Sequence, residues 1–141
     1  MFLDIEQGII ALLQPAVPAP AKVMRAADLA GIDEQAQFTP AVHVIYAGYR
    51  PTRDLGGGTI AEIETRWFIV IAVRNARGNV DTHEDAEPLL TAAFTALAGQ
   101  KPTQDARPLT LSGGPQPSYN AGFAYYPLVF TTRQTLRGTA H

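Results

Sequence analysis

The side chains able to do chemistry in this chain are few and far apart. Histidine occurs at His43, His83 and His141, with no HExxH pattern and no paired Asp-x-Asp spacing beside any of them, so nothing in their order spells a metal site. His43 alternates with Val42 and Val44 in an apolar run and reads as a core or half-buried histidine. His83, next to Glu84 and Asp85, reads as part of a solvated turn before a helix. Gly56, Gly57 and Gly58 would let backbone amides approach a phosphate, but a phosphate loop needs Lys-Ser/Thr after its last glycine and a helix beyond. Thr59 stands there without a lysine and a strand pattern follows, so the glycines read as a flexible hairpin tip. Ser112 and Ser118 lack the glycine-flanked turn of a nucleophile elbow. Glu62 and Glu64 would face one side of a strand together with Arg66, which makes a polar face rather than a proton-sharing pair. The absence of cysteine removes thiol nucleophiles, thiolate-bound zinc and disulfides. The residue types thus predict a protein that is not an enzyme, with no catalytic set, no metal and no cofactor.

Composition points the same way. The 141 residues are 46% hydrophobic and 17% charged, ordinary values for one domain with its own core, predicted to span 1–141. A net charge of −2 lacks the field that nonspecific nucleic-acid binding uses, so no sequence-specific nucleic-acid partner is expected either. The basic residues are nine Arg against only Lys22 and Lys101, and planar guanidinium groups suit protein contacts. The longest apolar runs, Trp67 to Val73 and Phe123 to Phe130, fall far short of the roughly 20 residues of a membrane span. Asp4 and Glu6 sit where a signal peptide would be basic, so a soluble protein of cytoplasmic origin, without a membrane partner, is expected.

The elements that must position these residues follow from periodicity. Phe2, Ile5, Ile9, Leu12 and Leu13 recur at helical spacing and predict a helix over about 2–13, stopped by Pro15, Pro18 and Pro20. Lys22 to Ala26 predicts a short strand; Asp28 to Phe38 stays ambiguous. Ala41 to Tyr49 predicts a strand apolar on both faces, and Arg50 to Thr59 a mobile loop. Ile60 to Arg74 is the longest strand signal. Ile63, Thr65, Trp67, Ile69, Ile71 and Val73 alternate with Glu62, Glu64 and Arg66, then with Phe68, Val70 and Ala72, so the strand runs from a solvated start into a doubly covered middle. Ala86, Leu89, Leu90, Ala93, Phe94 and Leu97 predict a second helix. Pro88 places its cap at Glu84 or Asp85, and Gly99 ends it. Arg107 to Leu111 predicts a short strand, Ser112 to Asn120 a loop, and Gly122 to Thr132 a last strand in which Pro127 calls for an edge position or a bulge. The polar tail from about 134 is expected to fray.

The order α-β-β-β-α-β-β predicts an α+β fold, a mainly antiparallel four- to five-stranded sheet with two helices packed on one face. Trp67, Phe68, Phe123, Tyr125, Tyr126 and Phe130 crowd into two strands, so the second sheet face is expected either to be covered by a loop or to be covered in part only when copies associate.

Three stretches carry a family resemblance: Trp67 to Asn75, the helix with Pro88-Leu-Leu near its start, and Pro117-x-Tyr119-x-x-Gly122-Phe-Ala-Tyr-Tyr-Pro-Leu-Val-Phe-x-Thr132. Together they resemble the tail terminator (tail-completion, minor tail protein U-like) proteins of tailed bacteriophages and prophages, from about Ala41 to Thr132. The resemblance implies a structural virion protein of tail and neck, assembled in the bacterial host cytoplasm. Its protomers would form a homo-oligomeric ring, commonly a hexamer, that caps the tail tube protein and meets a neck or connector protein. It supplies no catalytic residues. The residues chosen for protein contacts are Arg50, Arg53 and Asp54 in the glycine loop and Arg77 and Asp81 in the next turn. The alternatives are another head-tail joining protein, or a small α+β enzyme or ligand-binding domain whose site forms only on folding.

Overall fold

The computed structural model describes residues 2–25, 39–75, 79–120 and 122–138. Helix α1 (Phe2–Leu13) forms where the apolar spacing places it, with Ile5, Ile9 and Leu13 wholly buried on one face and Asp4 in the first turn against the helix dipole. The proline-rich connector leads to β1 (Lys22–Arg25), which pairs in parallel with the first residues of β2 (Ala41–Asp54). The sheet is therefore mixed. A parallel crossover needs roughly a dozen residues, and the segment 26–40 supplies them. The ambiguous stretch Asp28 to Phe38 lies outside the described residues.

Strand β2 does not stop at Tyr49. It continues through Arg50, Pro51, Thr52 and Arg53 to Asp54, with register shifts between Tyr46 and Tyr49 and between Pro51 and Arg53. Beyond Val44 no described strand pairs with its outer side, so Pro51 occupies a locally free edge, where a missing N–H costs no ladder bond. Strands β3 (Ile60–Arg74) and β6 (Phe123–Arg137) are paired along their entire 15-residue lengths. That full-length match corrects the expected fraying. Gln134 to Arg137 pair with Ile63 to Ile60, because polar side chains do not oppose a strand whose backbone already has a partner.

Helix α2 (Asn79–Leu97) begins at Asn79, not at Glu84 or Asp85. Pro88 lies inside it, exposed, at the cost of one ladder bond to the Glu84 carbonyl. The helix ends as expected at Gly99, where Gly99 N–H donates to Leu109 O and Gln100 N–H to Leu97 O. Two short strands follow, β4 (Thr110–Ser112) and β5 (Ser118–Asn120), the second in a stretch expected to be loop. Both run antiparallel to β6, opposite Val129 to Thr131 and Phe123 to Tyr125 respectively. Strand β6 is consequently interior along most of its first half, and Pro127 falls in the gap between β4 and β5, where its outer side has no described strand partner. The sheet has six strands in the order β1-β2-β3-β6-β4, with β5 also on β6.

Both helices cover one face, as expected. Val42, Val44, Trp67, Ile69, Ile71 and Phe130 meet Ile5, Ile9 and Leu13 of α1 and Ala86, Leu89, Ala93 and Leu97 of α2 in one apolar cluster. On the other face Ala72 is buried while Phe68 and Val70 are only half-buried, so the double cover expected for mid-β3 is incomplete.

Candidate functional site

Where β2, β3 and β6 extend past the helices, their uncovered face carries a row of charges in register. Arg50 stands opposite Glu64, and Glu64 opposite Arg133. Arg50 Nε donates to Glu64 Oε1 at 3.3 Å, Arg133 Nε donates to Glu64 Oε2 at 3.4 Å, and Arg133 Nη1 lies 3.8 Å from Glu62 Oε1. Thr52 Oγ1 adds a 2.8 Å hydrogen bond to Glu62 Oε1. The two glutamates are half-buried beneath exposed arginines, so each pair is a modest contributor to stability and mainly fixes where the guanidinium groups sit. Arg50, Arg53, Arg107 and Arg133 then line one shallow recess with Glu62 and Thr110.

Arg50, Arg53 and Asp54 are therefore strand residues, not loop residues. Asp54 Oδ1 accepts hydrogen bonds from Gly56 N–H at 3.0 Å and Gly58 N–H at 3.1 Å, which hold its carboxyl below its ordinary pKa. Gly57 and Gly58, at φ of 57° and 81°, supply the left-handed backbone the turn needs. Two amides that could have cradled a phosphate are thus taken by the chain's own carboxylate. Asp81 falls in α2 rather than in a turn, and Arg77 lies outside the described residues. The recess instead recruits Arg107 and Arg133. For Arg133 a signal existed, the alternation of Thr131, Arg133, Thr135 and Arg137 on one strand face. For Arg107, in the stretch before β4, there was none.

Elsewhere on the same face, the Arg66 guanidinium lies 5.7 Å from the Phe68 ring centroid and that of Arg74 lies 5.5 Å from the Phe123 ring centroid. His43 is buried in β2, opposite Val70 on one side and Met24 on the other. His83 belongs to α2 rather than to a preceding turn, and its Nδ1 lies 3.2 Å from the Tyr126 hydroxyl. His141 lies outside the described residues. Among the described residues no group of three His, Asp or Glu side chains is placed to hold a metal ion, and no helix is long and apolar enough to cross a membrane. Residues 1–140 match the family described as phage tail terminator protein. No curated protein matches the chain significantly.

Proposed function

Because the chain belongs to the phage tail terminator family, a family of tail components, we propose that it closes into a homo-oligomeric ring, a hexamer, that caps the tail tube. One face of the ring meets the last tube ring and the other meets the neck or connector below the head, during assembly in the host cell. No chemistry is required; shape and interface energy do the work. The observation that carries this reading is the match along nearly the whole chain. It is supported by where the resembling stretches lie, since Trp67 to Arg74 and Phe123 to Phe130 are neighbouring strands in register and Leu89 of α2 packs onto their core. The half-covered face of the sheet is the surplus surface an assembly would use.

The test is electron microscopy of the purified chain added to polymerising tube protein. Ring-shaped density at one end of each tube and a cessation of growth are expected. Tubes that elongate unchanged, with bare ends, would refute the reading.

A further inference from the structure

Charge is segregated across the two layers of this protomer. The chain as a whole carries −2, but among the described residues the sheet face away from the helices holds Arg50, Arg53, Arg66, Arg74, Arg133 and Arg137 against only Glu62 and Glu64, both of them already engaged by Arg133 or Arg50. Helix α2 is the reverse. It contains Asp81, Glu84, Asp85 and Glu87 and not one lysine or arginine. Glu84, Glu87, Pro88 and Thr91 form its exposed side, opposite the buried Ala86, Leu89 and Ala93. None of Glu84, Asp85 and Glu87, and neither Arg53 nor Arg107, has an ion-pair partner among the described residues.

We propose that the arginine recess of one protomer receives the acidic side of α2 from a second copy of this chain. The dimensions agree. The recess reaches from β2 across β3 and β6 to β4, three inter-strand steps or about 14 Å. A helix with its side chains is about 10–12 Å across. The charges agree too, since each contact sets unpaired carboxylates against a surplus of guanidinium groups able to bind them bidentately. Helices and open sheet lie on opposite sides of the protomer, so neither surface can satisfy the other within one chain, and a docked copy still presents a free surface of each kind. Such a contact is heterologous and propagates until the rotation closes it into a ring. The inference rests on the ring reading above and names the surfaces that make the ring.

Two variants test it, each measured by sedimentation velocity with and without tube protein. In Arg53→Glu/Arg107→Glu the recess is reversed, and in Glu84→Arg/Glu87→Arg the helix is reversed. All four positions are exposed, and unchanged thermal unfolding of each variant checks that the fold survives. Each variant alone is expected to associate about tenfold more weakly or worse than the wild type. Mixed in equal amounts they are expected to reassemble, because an alternating ring then has every acidic surface facing a basic one. Raising the salt weakens wild-type assembly. If the wild type assembles and both variants assemble equally well, the docking is wrong and the ring reading stands. If the wild type stays monomeric even with tube protein, both fall. If both variants assemble but only the recess variant loses retention of double-stranded DNA, the arginine face serves nucleic acid and the proposal is overturned.

Discussion

Trp67 is the largest fully buried side chain among the described residues. It is fully buried on β3, opposite Tyr46 of β2 and Phe130 of β6, with its ring centroid 5.3 Å from that of Tyr46 and its indole N–H donating to Thr65 Oγ1 at 3.0 Å. Trp67→Ala leaves a cavity between two helices and three strands and should cost about 3–5 kcal/mol in urea unfolding. Tyr49→Ala, at a side chain 60% exposed, should change stability by no more than about 0.5 kcal/mol. Equal effects would mean that the indole does not centre the core. Asp54 makes a different kind of contribution. Its carboxylate is the acceptor that closes the turn onto Gly56 and Gly58, and those bonds lower its pKa from the ordinary 3.8. The ionised form is the one the folded turn favours. The contribution is therefore fully present above about pH 3.8 and is lost as pH falls through the lower folded value. The Gly56 and Gly58 amide resonances should titrate together with a midpoint below 3.8, and neither should titrate in Asp54→Asn. A midpoint at or above 3.8 would show that the cap is open in solution.

At α1 a small residue decides how two elements meet. A Cβ at Gly8 would overlap the backbone carbonyl of Pro102, a buried residue in the turn that follows α2, and that carbonyl is not the end of a flexible side chain that could swing aside. Helix propensity alone makes Gly→Ala stabilising by about 1 kcal/mol. Gly8→Ala should instead destabilise, by about 1–3 kcal/mol, because α1 must move off the turn. A rise in the denaturation midpoint would show that α1 is not seated there. The elements themselves differ in how readily the chain announces them. The helical spacing of Ile5, Ile9 and Leu13 and the alternation from Ile63 to Val73 are strong because each buries one continuous face, and both elements stand where that pattern puts them. Residues 50–54 hide a strand behind proline, charge and a register shift between Pro51 and Arg53, with another just before them, since a bulge resets the two-residue period that reveals a strand. The start of α2 is hidden by Pro88, whose cost is local and leaves the preceding turns helical. Parallel pairing of β1 leaves no local mark, because it depends on where the segment 26–40 returns the chain.

The same physics explains which residues of the arginine recess could be named beforehand. Arg50 and Arg53 could, being loop-like in type, whereas Arg107 and Arg133 reach them only through pairing between segments far apart in sequence. The molecule is accordingly divided. From Trp67 to Val73 and from Ala124 to Phe130 the two long strands lie under the helices, while from Ile60 to Ile63 and from Arg133 to Arg137 they extend past them, with only Ile63 buried. Backbone ladder bonds continue into this arm, but little apolar surface goes with them, so it should open without unfolding the rest. In hydrogen exchange of the isolated chain, the Leu55 amide, which donates to Ile60 O at 2.8 Å, should exchange at least about a hundredfold faster than those of Ile69 and Ile71. On assembly the order should narrow, because the arm carries Arg50, Arg53 and Arg133 and is the part a neighbouring surface would hold. Uniform protection along β3 in the isolated chain would make the arm part of the cooperative core. An arm that stays fast in the assembled particle would place the contacts elsewhere. A fold whose stability resides in one half of its longest strands, and whose proposed contact surface lies on the other, could alter its partners by surface substitutions in the arm without altering the core.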